Sequence, residues 1–254
     1  EKFNILESLL ARFSRDLPFY IFKGEEKGAD IHFLRNELIN AGYATQVVPM
    51  NFRVKVKANV LLELQQHEIM QGETLEHLLY LNQNNAMLND LRTIFIVHDK
   101  RLLSIFHRDD LLEDYCELAD RSLLKRHVAE TYVPKLNPEI VHTAIRNKQD
   151  WLLKPNSLGK GEGIVIGKNV EHSNWKAIMQ QGLGADFVLQ RFIEQELFPV
   201  AGRDLTGCLH TRAMKIVGTM LCLDHKFLGP GIYRASESDV INVSRGGSIL
   251  APVY

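Results

Sequence analysis

The chain has 254 residues, 45% of them hydrophobic, so it can bury a substantial core and is long enough for two domains. Its 30 basic and 31 acidic residues give a formal net charge of −1, which provides no general field for a nucleic acid or an anionic membrane. The three cysteines lack metal-ligand spacing, and no apolar run reaches the ~18 residues of a membrane span. Together with a beginning that does not resemble an export signal, these features predict a cytoplasmic protein with reduced thiols.

The first fifty residues alternate helical and extended patterns. Apolar residues at helical spacing predict helices over residues 3–13 and 31–39. Short β-rich runs predict strands at residues 17–22 and 47–48. This order is that of half a βαβ unit, and it predicts an N-terminal α/β domain.

The next segment is less regular. Residues 52–92 fit both the strand and the helix period. Residues 93–97 and 102–106 are rich in β-branched and apolar side chains, and a charged turn at 98–101 separates them. This pattern predicts two paired strands.

Helical spacing returns at residue 109 and continues to Val133-Pro134, and a second helix is predicted after Pro138. No flexible linker interrupts the chain, so the domain boundary is predicted in a short connection near residues 107–117. The predicted domains are residues 1–112 and 113–254.

Residues 151–167 are the most informative stretch, because two β-rich runs flank a glycine-rich loop. Glycines let backbone N–H groups approach an anion closely and accept positive φ. The stretch predicts a phosphate-binding lid on a β-hairpin, formed by the loop glycines and two lysines: Gly159, Gly161, Gly163, Lys154 and Lys160.

A further strand is predicted at residues 186–193, after a short helix at 175–179. Its polar end carries Gln190, Arg191 and, just beyond, Glu196. A strand backbone of this kind can pair with an adenine edge, and a following acid can accept hydrogen bonds from ribose hydroxyls. Later in the chain, a set of polar and glycine residues is predicted to surround a second anion: Arg234, Asn242, Arg245, Gly246 and Gly247.

In this order, the motifs resemble those of the ATP-grasp superfamily, in particular glutathione synthetase-like and other carboxylate-amine ligases. Lys154 resembles the strand lysine on the α-phosphate, and residues 159–163 resemble the loop over the β- and γ-phosphates. Gln190, Arg191, Phe192 and Ile193 resemble the adenine hinge. Glu196 resembles the ribose acid, although its spacing is about one residue short.

The C-terminal part carries the rest of the resemblance, which covers roughly residues 109–250. Arg234 and the Asn-x-x-Arg-Gly-Gly-Ser element at residues 242–248 resemble the catalytic elements of these ligases. The resemblance therefore implies catalytic roles for Arg234, Asn242 and Arg245. Each motif alone is a weak signal, and their order is the evidence.

The resemblance implies an α/β protein, with an ATP-grasp fold after a Rossmann-like α/β domain. It also implies ATP and Mg²⁺ as cofactors, and a ligase that joins a small-molecule or peptide carboxylate to an amine through an acylphosphate. The charge balance predicts no nucleic-acid or membrane partner, and a homodimer remains an open alternative. In this family an Asp and a Glu-x-Asn usually hold magnesium after the Gly-Gly element, but no such Glu-x-Asn follows Gly247. Either that segment lies outside this sequence, or other residues such as Asp224 and Asn242 replace it.

Two other functions compete with the ligase. A kinase is suggested by residues 158–165 and by His107-Arg108-Asp109, but kinases place the glycine loop before that triplet, and no Asp-Phe-Gly follows. The small-molecule kinase remains an alternative, as does a non-catalytic ATP-binding module, because a fold does not fix a function.

Overall fold

The computed structural model describes most of the chain, in the ranges 5–25, 30–70, 73–181, 183–203, 206–223, 226–243 and 246–250. It divides into two units, Glu1–Asp99 and Lys100–Tyr254. The boundary predicted from the sequence, after residue 112, lies further along the chain. None of the described helices is long and apolar enough to cross a bilayer.

The first unit contains a four-stranded parallel sheet with the order β2-β1-β3-β4. Its elements in chain order are α1 (Ile5–Leu10), β1 (Phe19–Lys23), α2 (Asp30–Asn40), β2 (Thr45–Val48), β3 (Asn59–Glu63), α3 (Gln66–Ile69), α4 (Glu73–Asn84) and β4 (Ala86–Leu88). The predicted early helices and strands are thus confirmed, with shifted ends. In residues 52–92 the strand begins only at Asn59, after the alternating valines.

Both faces of this sheet are buried, which is typical of parallel sheets covered on two sides. In β1, Phe19 and Ile21 belong to one apolar cluster, whereas Phe22 belongs to a second. Successive side chains of a strand point to opposite faces, so the apolar run of β1 supplies both clusters.

The predicted strand pair at 93–97 and 102–106 is wrong, because both segments are helical. Thr93–Val97 is a π-helical turn, and Lys100–His107 is a 3-10 helix. The Asp90 carboxylate accepts a hydrogen bond from the Thr93 backbone N–H at 3.1 Å and so caps the helical turn. Local capping therefore outweighs the β preference of the branched side chains.

The second unit contains two antiparallel sheets with the orders β5-β8-β6-β7 and β12-β11-β10-β9. Its helices and strands are α5 (Asp109–Leu112), α6 (Leu118–His127), β5 (Thr131–Tyr132), α7 (Pro138–Arg146), β6 (Trp151–Pro155), β7 (Val165–Ile166), α8 (His172–Gln180), β8 (Phe187–Arg191), β9 (Phe198–Arg203), β10 (Leu209–Leu223), β11 (Lys226–Ser236) and β12 (Ser248–Leu250). The predicted hairpin around the glycine loop is confirmed, since β6 pairs with β7 in antiparallel register.

One apolar cluster packs against this hairpin and includes side chains of β6. Trp175 of α8 is fully buried against Trp151 and Leu153 of β6. Its indole N–H donates to the Ala144 carbonyl of α7 at 2.9 Å, so the ring has both packing and a polar partner. The cluster gives β6 and β8 a rigid base.

Candidate active site

A cavity of about 320 Å³ lies in the second unit, between the β6-β7-β8 surface and strand β10 with the loop after β11. Its walls include six of the residues singled out in the sequence: Lys154, Gly161, Gln190, Arg191, Phe192 and Ile193. A smaller adjoining cavity of about 110 Å³ is lined by Lys100, Lys154 and the glycine loop. Glu196 is exposed and lines neither cavity, whereas its neighbour Gln195 lines the larger one.

Lys154 is a largely buried cation at the junction of the two cavities. Its ammonium donates a hydrogen bond to Gln190 Oε1 at 2.7 Å, and that partner is a neutral amide. Burial, and to a smaller degree the charge of Lys100, lower the pKa of Lys154. An anionic ligand would supply the counter-charge that these contacts do not provide.

Lys100 is a second cation at this place, and the sequence did not single it out. Its ammonium donates to the backbone carbonyls of Asn156 at 3.3 Å and Leu158 at 2.5 Å. Its backbone N–H also donates to the Asn156 carbonyl, at 3.0 Å. These contacts bind the start of the 3-10 helix to the entrance of the glycine loop.

The glycine loop has the backbone that its composition predicts. Gly161 and Gly163 adopt φ of 73° and 68°, and Lys160 adopts 54°. A Cβ on Gly161 would lie 2.3 Å from Val240 Cγ1, and one on Gly163 would lie 2.6 Å from Pro155 Cγ. The loop therefore approaches residue 240 at a distance that only glycine permits.

The end of β8 is fixed by several contacts. The N–H of Arg191 donates to the Glu130 carbonyl, and that of Phe192 donates to the Asp150 carbonyl, both at 2.8 Å. The Arg191 guanidinium lies over the Trp151 ring, with its carbon 4.7 Å from the ring centroid. It also forms ion pairs with Glu130 at 3.3 Å and Asp150 at 3.5 Å. The side chain of Arg191 is therefore held by the protein itself.

Asp239 lies in the cavity wall and connects the two sheets electrostatically. It pairs with Lys215 of β10 and, at 3.4 Å, with Lys168 beyond β7, while Asn169 donates to it at 3.1 Å. Burial acts to raise the pKa of Asp239, but the hydrogen bonds and charges of these partners outweigh it and lower that pKa. No local pattern predicts this cluster, because its members come from distant segments of the chain.

Lys168 also continues the cluster towards the end of β8. Its ammonium pairs with Glu194 at 2.9 Å and lies 4.2 Å from the centroid of the Phe192 ring. Phe192, predicted as a hinge residue, is thereby covered by a cation on one face.

Arg234 of β11 lies directly opposite Val217 of β10 in the antiparallel register. Directly paired residues share a face of the sheet, and Val217 lines the larger cavity. Arg234 thus lies on the cavity side of this sheet.

Backbone hydrogen bonds connect the described residues of the Asn-x-x-Arg-Gly-Gly element. The N–H of Gly247 donates to the Asn242 carbonyl at 2.9 Å, and a Cβ on Gly247 would lie 2.8 Å from that oxygen. Gly246 adopts a φ of 85°. Arg245, predicted to be catalytic, and Asp224, the alternative metal ligand, lie outside the described residues.

The described residues bring together no group of three or more His, Cys, Asp or Glu side chains that could hold a metal ion. The side chain of Asp239 already has two lysines and an amide as partners. A cation at this carboxylate would have to displace the lysines.

No protein-family model matches the chain. A curated protein named ATP-grasp enzyme ankG, from Aspergillus thermomutatus, is 28% identical over 174 residues, which cover 62% of this chain and 35% of that protein. The chain therefore matches only about a third of this relative's length.

Solved structures that align with the chain include the D-cycloserine synthetase DcsG, at 13% identity and a TM-score of 0.45 over 70% of this chain and 60% of that one. A RimK domain protein from Sphaerobacter thermophilus aligns at 13% identity and a TM-score of 0.44, over 86% of this chain and 91% of that one. D-alanyl-alanine synthetase A from Vibrio cholerae aligns at 10% identity and a TM-score of 0.42, over 81% and 68%. Over those 174 residues the chain is thus similar in sequence to a protein named as an ATP-grasp enzyme, and it carries motifs that resemble those of that superfamily in the same order.

Proposed function

We propose that this protein binds ATP in the larger cavity and uses it to join a carboxylate to an amine through an acylphosphate. The observation that carries the proposal is Lys154, a largely buried ammonium whose hydrogen-bond partner is neutral. A site that keeps such a cation is suited to a polyanionic ligand. The similarity to a curated ATP-grasp enzyme supports a nucleoside triphosphate as that ligand.

The cavity suggests how the nucleotide would be oriented. Lys154, Lys100 and the N–H groups of the glycine loop meet at one end, where phosphates would be stabilised. At the other end, the N–H groups of Arg191 and Phe192 already donate to backbone carbonyls, whereas among the described residues no backbone carbonyl accepts from the N–H of Ile193. We assign the Ile193 N–H to the adenine edge, and the Arg191 side chain to support of the hinge.

The proposed ligase reaction has two steps. A carboxylate oxygen forms a bond to the γ-phosphorus while the bond to the ADP oxygen breaks, which gives an acylphosphate and ADP. The amine nitrogen then attacks the acyl carbon, phosphate leaves with the bonding electrons, and the amine proton passes to solvent. In this scheme the lysines and Arg234 stabilise the charge that develops on the transferred phosphoryl group, and the work is positioning and electrostatics.

The family also implies Mg²⁺, which would neutralise triphosphate charge. In the described part of the chain the donor set does not fit such an ion, because no cluster of suitable ligands is present. We therefore assign no step to a metal. We give Asn242 a role in holding the Gly247 N–H through its carbonyl, in addition to the catalytic role that the resemblance implies.

The proposed reaction can be tested with the full chain, ATP, magnesium chloride and a panel of amino acids and peptides as carboxylates. Hydroxylamine intercepts an acylphosphate as a hydroxamate, so we expect hydroxamate and ADP in equal amounts with the correct acid. A stable phosphorylated hydroxyl product would instead identify a small-molecule kinase. Tight ATP binding without turnover over the whole panel would identify a non-catalytic module.

The lid offers a second test. Gly161→Ala places a Cβ 2.3 Å from Val240 Cγ1 and requires a positive φ, whereas a Cβ at Gly202 of β9, which lines neither cavity, meets nothing within 4 Å. We expect Gly161→Ala to weaken ATP binding by about tenfold, because the strained closed loop costs about 1–2 kcal/mol. Gly202→Ala is the control for the same change of residue and should bind ATP like the wild type in calorimetry. Equal affinities for both variants would contradict the lid assignment.

A further inference from the structure

Three side chains form a hydrogen-bonded row behind the cavity wall. The Thr131 hydroxyl donates to the Ala129 carbonyl at 2.8 Å. Gln190 Nε2 donates to Thr131 Oγ1, also at 2.8 Å, and Gln190 Oε1 accepts from the Lys154 ammonium at 2.7 Å. Thr131 and Gln190 are buried, and β5, β8 and β6 are adjacent strands of one sheet.

The row fixes the orientation of the Gln190 amide. A hydroxyl has one hydrogen, and Thr131 uses it for the Ala129 carbonyl, so Thr131 Oγ1 can only accept from Gln190. The amide must then direct its NH₂ group to Thr131 and its oxygen to Lys154. The rotated amide would place two donors, NH₂ and ammonium, against each other.

We propose that Gln190 and Thr131 are positioning residues for the nucleotide phosphates: they hold the Lys154 ammonium through a neutral amide and leave its charge for the ligand. This inference rests on the proposed function, in which Lys154 contacts phosphate. A carboxylate at position 190 would make the same hydrogen bond, but it would neutralise the ammonium and repel the phosphates. The residue type at position 190 therefore sets the strength of anion binding.

The other charged groups that line the cavities are consistent with a Lys154 charge that is left for a ligand. Those that line the same two cavities are Lys100, Lys160, Glu162, Arg191 and Asp239. Of these, Lys100 is the one whose charge acts on Lys154, and it lowers the pKa further. Asp239 is paired with Lys168 and Lys215, and Arg191 with Glu130 and Asp150. The Lys154 ammonium near the glycine loop thus contacts the neutral Gln190 amide.

The main test is Gln190→Glu, measured by calorimetry with ATP and magnesium chloride, and separately with adenosine. We expect ATP affinity to fall by about tenfold or more, because the new carboxylate neutralises the Lys154 ammonium that would pair with phosphate. Adenosine affinity should stay within about twofold, because adenosine has no phosphate. In the wild type, ATP affinity should fall as the pH rises through the lowered pKa of Lys154. The new carboxylate raises that pKa, so in Gln190→Glu the fall should move to higher pH.

Thr131→Val tests the orienting hydroxyl, with Thr131→Ser as the matched control. The valine variant frees the amide to rotate, so we expect ATP affinity to drop about threefold to tenfold, with the serine variant close to the wild type. Melting temperatures of all variants separate binding from folding. Serine failing to restore the affinity lost in the valine variant would count against the orienting role.

The outcomes separate this inference from the proposed function. If Lys154→Met weakens ATP binding but Gln190→Glu leaves both affinity and pH profile unchanged, the inference alone is wrong. Equal losses for ATP and adenosine with a lower melting temperature would show a merely structural role and would overturn it too. If neither variant affects ATP binding, the proposed nucleotide site itself is wrong.

Discussion

Lys154→Met should weaken ATP binding by at least about tenfold, because a charge-assisted hydrogen bond of about 1.5–3 kcal/mol to phosphate is lost. Methionine keeps the apolar stem and the volume, so the strand and its packing are preserved. Lys176, which is exposed on α8 and lines neither cavity, is the matched control. Lys176→Met makes the same change of charge and should leave ATP affinity unaltered.

The same substitution should change folding stability little. Methionine removes a buried charge, which favours folding, but leaves Gln190 Oε1 without its donor, which opposes it. The pH dependence should differ more clearly. In the wild type the folded-state pKa of Lys154 lies below the ordinary value of 10.5, so between these values the unfolded chain binds the extra proton. Unfolding free energy should therefore rise with pH across this window in the wild type, relative to the variant.

Calorimetry and denaturant unfolding at several pH values provide the measurements. Undiminished ATP affinity in Lys154→Met would remove the observation on which the proposed function depends. A large loss of stability in the variant would instead mean that Lys154 serves the fold rather than the ligand.

Local patterns predicted the hairpin that carries this lysine. Residues 151–167 form two strands around a glycine loop because the β-rich runs and the glycines act within a few residues of one another. The same holds for β8 and α8, whose apolar faces meet in one cluster. Elements whose conformation depends on residues close in sequence can therefore be predicted from sequence patterns.

The segment 93–107 shows the limit of such patterns. Its branched residues favour a strand, yet a single carboxylate, Asp90, caps a helical turn there. Lys100 is predicted in a turn, but it is the first residue of a 3-10 helix, where its side chain contacts Asn156 and Leu158. Those partners are more than fifty residues away in sequence, so no local pattern could identify Lys100 as part of the site.

The polar network of the site was missed for the same reason. Lys168, Lys215 and Asp239 meet only because two sheets face each other across the cavity. Glu196, which resembles the ribose acid at a spacing about one residue short, is exposed and lines neither cavity, so its ribose role stays a prediction. Sequence patterns predict Gln190 only as a hinge residue, because its contact with Lys154 depends on the register between β6 and β8.

The second large effect is expected for Arg234→Ala in the hydroxamate assay. Arg234 lies opposite Val217 on the cavity side of β11, where a guanidinium can stabilise the charge that develops on the transferred phosphoryl group. Removing one such donor typically lowers the rate by about 100-fold to 1,000-fold. We therefore expect hydroxamate formation to be nearly abolished while ATP affinity is largely kept, because the interaction belongs to the transition state.

Arg212 provides the control for this last prediction. It lies on the neighbouring strand β10, five residues before Val217, and alternation places it on the opposite face of the sheet. It pairs with Glu237 at 3.7 Å and is exposed. Arg212→Ala should leave both hydroxamate formation and ATP affinity near the wild-type values. If Arg234→Ala forms hydroxamate at the wild-type rate, Arg234 has no part in phosphoryl transfer; if it loses ATP binding as well, its contact is with the bound nucleotide before reaction.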